Sequence, residues 1–101
     1  FLSTITSFLR QKMDALGDGY ELTHAPMDVD LVPDSPYYQI LKAQHANLNF
    51  LMPQFYNGIT QSASDGFNGS GSGQVSARSV YGNIANDIFR GRPDKVVFGF
   101  C

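Results

Sequence analysis

Proline and glycine placement constrains this chain more than any other feature. Pro26, Pro53 and Pro93 each interrupt or precede a short apolar run, and Gly17, Gly58 and Gly91 each close one element before the next begins. Between these breaks the hydrophobic period switches repeatedly. Ile5, Phe8, Leu9, Met13 and Leu16 recur at helical spacing over 3–16, with Ser3 or Thr4 available as a cap and Gly17 placed to close the helix in a left-handed conformation. Residues 20–26, GYELTHAPM in context, read as a strand ending at Pro26. A second helix is expected over 35–48, with Ser35 as N-cap, Pro36 at the first helical position, and Ile40, Leu41 and Leu48 as its stripe. A second strand follows directly at 49–56. Ser76 caps a third helix at about 77–90, whose face is Val80, Tyr81, Ile84, Ile88 and Phe89, and a last strand runs over 95–100.

The order is helix, strand, helix, strand, helix, strand. Strands separated by helices of this length imply right-handed crossovers and a parallel α/β sheet. A small open sheet and a section of a (β/α)8 TIM barrel both satisfy it. The connections after helices are short (17–19, 48–49, 91–94), and those after strands are long (26–34, 57–75). In barrels the loops after the strands carry the chemistry, so this asymmetry favours the barrel. The loop 58–74 is rich in Gly and Ser and has little to bury. Its GSGSG lacks the lysine and the spacing of a phosphate loop.

The middle run sharpens the functional question. In NLNFLMPQFYNG, Phe50, Met52, Gln54 and Tyr56 alternate with Leu51, Pro53 and Phe55. One side is apolar throughout. The other turns polar toward its end, placing Gln54 and Tyr56 where a ligand can meet them, although a satisfied polar pair in a core gives the same pattern. Asn57-Gly58 also fits a plain turn.

MPQFYNG closely resembles the sixth barrel strand of family 18 glycoside hydrolases, the chitinases, with Gln54, Tyr56 and Asn57 matching its Gln/Met-x-Tyr-Asn/Asp pattern. ELTHAPM resembles that family's fifth strand and KVVFGF its seventh, in the right order. The resemblance spans the whole chain, residues 1–101, as a partial catalytic barrel. It implies hydrolysis of β-1,4-linked N-acetylglucosamine polymers with retention, in which the substrate's own acetamido oxygen attacks the anomeric carbon, an exception to the two-carboxylate scheme. Carried over, Tyr56 orients the acetamido group, Gln54 contacts that group or the water, Asn57 contacts the sugar or the general acid, and Met27 lines the site. The implied partners are chitin or chitooligosaccharides, and the polymeric substrate implies secretion. No cofactor is implied.

The family's D-x-x-D-x-D-x-E segment, which supplies the general acid, is missing from these residues, and the chain contains 0 Trp for the usual sugar floor. The isolated chain is therefore expected to be inactive, and the enzyme would be a longer parent. The start at Phe1 and the apolar finish at Cys101 point the same way. A chitin-binding lectin without catalysis, an endoglycosidase acting on N-linked glycans, and an inactive αβ fragment that self-associates through open sheet edges are the competing readings.

Other residues carry weaker signals. Asp28 and Asp30 read as a solvated, capping D-x-D in preference to an acid or metal pair, since no third hard ligand is suitably spaced. His24 reads as a hydrogen-bonded strand residue, and Tyr37 and Tyr38 as packing at a helix start in preference to a sugar platform. Phe67 stands alone in the loop, either reaching over the sugar site or exposed. The 7 Lys+Arg are scattered and the net charge is −2, which argues against nucleic-acid binding. No signal peptide is visible and no apolar run approaches the roughly 20 residues of a membrane span. The single Cys101 supports neither an internal disulfide nor a metal site.

Overall fold

A computed structural model describes residues 1–55, 58–60 and 75–99. Helix α1 spans Leu2–Leu16, strand β1 Thr23–His24, helix α2 Pro36–Ala43, strand β2 Phe50–Leu51 and helix α3 Ala77–Gly82. The last helix runs on into a π-helical stretch, Asn83–Ile88. Short 3-10 turns lie at Asp28–Asp30, His45–Asn47 and Pro93–Lys95.

The two strands pair in parallel, Thr23 beside Phe50 and His24 beside Leu51. Beyond them the chain makes isolated parallel bridges, Met27 to Gln54, Leu51 to Val96 and Gln54 to Gly99. The barrel section expected from the sequence, with three strands at 20–26, 49–56 and 95–100, is therefore not what forms. Among the described residues the molecule is a small α/β domain with three α-helices and a two-stranded sheet. The prolines supply the reason. Pro26 and Pro53 follow the strands closely and donate no N–H, so neither ladder can continue as a regular strand. Their carbonyls still accept, from the Gln54 and Gly99 amides at 2.9 and 3.0 Å. Pro93 starts a 3-10 turn that takes up the beginning of the third run.

Alternation along the middle run is as the sequence indicates. Leu51, Pro53 and Phe55 are buried, whereas Met52 is exposed and Gln54 half-buried. The buried side packs with Leu31, Tyr38, Leu41, Leu48, Val80, Ile84 and Ile88. Each fully buried leucine contributes about 1.5–3 kcal/mol. The second helix is shorter than the expected 35–48, its end broken into the turn at His45–Asn47. Ser76 caps α3 as expected, accepting from the Arg78 and Ser79 amides at 3.1 and 3.4 Å.

The first helix docks the opposite way from its apolar stripe. Ile5, Phe8, Leu9 and Leu16 are exposed, and Thr6 is the buried residue of the helix. The docked face is polar. Gln44 donates to Ser3 at 2.7 Å and accepts from Ser7 at 3.0 Å, while Arg10 donates to Asn49 at 2.9 Å. Asn49 accepts the Leu22 amide with the same oxygen, fixing the entry to β1.

Candidate functional site

The candidate site lies where the chain leaves the strands. Met27 and Gln54 are bridged side by side, and Gln54 is bridged to Gly99 on its other flank. Two of the residues singled out from the sequence are thus neighbours. Met27 is 39% exposed, and Gln54 is half-buried. Tyr56, Asn57 and Phe67 lie outside the described residues.

The orientation of Gln54 follows from its partners. Its Nε2 donates to the Ala25 carbonyl at 2.6 Å, and a carbonyl can only accept, so the amide nitrogen faces the neighbouring segment. Among the described residues its Oε1 has no hydrogen-bond partner, and it can accept from a ligand N–H or O–H. Gly99 fits against this row because a side chain has no room there. A Cβ would lie 2.8 Å from the Pro53 carbonyl oxygen.

Asp28 corrects the reading of a solvated pair. It is completely buried, in the 3-10 turn directly after Met27. Its Oδ2 accepts from the Thr60 amide at 2.8 Å and from the Thr60 hydroxyl. Its Oδ1 is buried without a hydrogen-bond partner and abuts Gly58. Thr60 carried no signal in the sequence, because it falls at the start of a Gly/Ser-rich stretch. Asp28 carried half of one, as part of D-x-D, but its burial depends on a partner 32 residues away.

His24 is a hydrogen-bonded residue, as expected. The Thr6 hydroxyl donates to the Leu2 carbonyl at 2.8 Å, so its oxygen accepts from His24 Nε2 at 3.0 Å. That assigns the proton to Nε2 and leaves Nδ1 to accept from the Tyr37 hydroxyl at 2.8 Å. Burial holds the His24 pKa below its ordinary 6.5. Burial, with the charge of Asp30, raises that of Tyr37. Both groups are thus neutral at neutral pH and serve to join α1, β1 and α2. Tyr38 is buried, and its hydroxyl donates to Asp87. Both tyrosines therefore have packing and bonding roles.

Among the described residues no group of three or more His, Cys, Asp or Glu is placed to hold a metal ion. No helix among them is long and apolar enough to cross a membrane. Comparison with known protein families, curated proteins and solved structures finds no match.

Proposed function

We propose that the chain binds N-acetylglucosamine polymers and forms the acetamido-binding side of a chitin-degrading enzyme's sugar site. One observation carries the reading. The Gln-x-Tyr-Asn sequence at 54–57 begins at a residue bridged to Met27, with its amide nitrogen already committed and its Oε1 available. An acceptor on a backbone-anchored residue suits a sugar amide or hydroxyl, because fixed dipoles lose little on binding. Tyr56 donates to the acetamido oxygen, orienting it toward the anomeric carbon, and Asn57 contacts the sugar. The fold itself assigns no function. The support is the motif and the position of its first residue.

The general acid is not among these residues, since the chain contains no D-x-x-D-x-D-x-E segment. Binding is the activity of the 101 residues, and cleavage belongs to a protein that supplies the acid. A polymeric substrate of this kind puts the protein outside the cell. The test is retention on chitin beads against cellulose beads. The chain is retained on chitin, Tyr56→Phe and Gln54→Ala are retained less, and a fluorogenic chitobioside is not cleaved. Equal retention on both polymers, or full retention of the variants, overturns the reading.

A further inference from the structure

We propose that the outward face of α1 is an interface on which a second copy of this chain packs, helix against helix and antiparallel. The inference is independent of the sugar reading. A helix laid on a small domain normally buries its apolar stripe and leaves its polar side to solvent. Here the order is reversed. Thr6 is buried against His24, Ser3 and Ser7 meet Gln44, and Arg10 meets Asn49. Ile5, Phe8, Leu9 and Leu16 face outward, with Phe8 51% and Leu16 72% exposed. Turning the helix to hide this stripe would break the hydrogen bonds of the docked side, so the stripe needs a cover from outside.

The stripe is self-complementary. Near its start lies an apolar groove of about 220 Å3 lined by Phe1, Thr4, Ile5 and Phe8. Near its end stands the exposed Leu16, about 18 Å from Thr4 along the helix axis. A two-fold axis level with residue 10 seats each Leu16 in the groove of the other copy, so both contacts form together. The same axis sets Lys12 of each copy opposite Phe8 of the other. Lys12 already lies over Phe8 of its own helix, with Nζ 5.3 Å from the ring centroid, so its stem adds to the apolar cover and its charge rests on an aromatic face. The antiparallel sense also brings opposite ends of the two helix dipoles together. The exposed parts of these side chains amount to on the order of 500 Å2 per copy, at the upper end of what a monomer leaves uncovered. Two copies bury on the order of 1,000 Å2, the lower limit for a specific interface, so the dimer is weak and reversible.

Sedimentation equilibrium of the full chain between about 10 µM and about 1 mM tests this. The average mass rises with concentration from 11.1 kDa toward twice that value. Leu16→Glu and Phe8→Glu each weaken dimerisation at least about tenfold, with urea midpoints unchanged because both side chains lie outside the core. Leu16→Glu combined with Thr4→Lys regains the association, since each carboxylate then faces an ammonium across the two-fold axis. A wild-type chain that stays monomeric overturns the proposal, and partition of that monomer onto phosphatidylcholine vesicles would give the stripe to a lipid surface instead. A dimer that survives both glutamate substitutions also overturns it, placing the contact elsewhere, as at the exposed Val97. Failure of the Thr4→Lys rescue overturns the antiparallel exchange.

Discussion

The Tyr38 hydroxyl donates to the Asp87 carboxylate at 2.5 Å, and Lys42 closes on the other oxygen of the same carboxylate at 2.9 Å. This joins α2 to the π-helical stretch. The wider π turn, seen in the Phe89 amide bonding back to the Ile84 carbonyl at 3.0 Å, keeps Ile84 and Ile88 in the core while Asp87 reaches Tyr38. Tyr38→Phe removes the bond but leaves the ring, so it costs about 1 kcal/mol. Tyr38→Ala also opens a cavity and costs about 3–5 kcal/mol. Urea denaturation of the two variants measures the difference.

Acid should weaken the fold in two separate steps. Burial lowers the His24 pKa below 6.5, so the unfolded chain takes up this proton first. Stability is highest above 6.5 and falls below it until the folded ring also protonates. Protonation also turns Nδ1 into a donor facing a hydroxyl that had donated to it. Asp87 is depressed by the Tyr38 hydrogen bond first and by Lys42 next, so its contribution is present above 3.8 and is lost as pH falls through its lower folded value. The expected Tm profile declines as pH falls below about 6.5, and again as it falls below about 3.8. His24→Gln abolishes the upper decline. A flat Tm across the upper range in the wild type contradicts the assignment.

Gly58→Ala forces the Asp28 carboxyl aside and breaks its bonds to Thr60. The loss is about 2 kcal/mol, because buried polar groups are left unpaired. Asp28→Ala makes room for the new methyl. The double variant is therefore expected to be little worse than Asp28→Ala alone, and a double-mutant cycle by chemical denaturation reads that coupling. Simple additivity would show that Gly58 and Asp28 do not meet.

Gly99→Ala brings a methyl against the Pro53 carbonyl, which accepts the Gly99 amide at 3.0 Å. Relief requires backbone movement, at about 1–3 kcal/mol. Faster amide exchange at Val97, which donates to the Leu51 carbonyl at 2.8 Å, should accompany it.

The sequence displayed periodicity well and context poorly. The apolar side of the middle run, Leu51 and Phe55, and the Ser76 cap follow from local pattern, and the structure buries the two side chains and forms the cap. The face that α1 buries does not follow, because the covered side is chosen by Gln44, His24 and Asn49, which are far away in the chain. Strand length was overestimated because apolar, β-branched runs such as KVVFGF look extended whether or not a ladder continues past Pro53. In the site, strand order was enough to bring Met27 beside Gln54. The burial of Asp28 is not legible because a carboxylate in a loop is normally solvated, and its donors among the described residues come from Thr60, 32 residues away.

The central claim is recognition of an acetamido sugar beside Met27 and Gln54, and an amide NMR titration with tetra-N-acetylchitotetraose against cellotetraose tests it most directly. The account predicts saturable shifts concentrated at Met27, Gln54 and their neighbours with the acetylated sugar, and none with cellotetraose. Shifts that are absent, scattered over the surface or equal for the two sugars would contradict it.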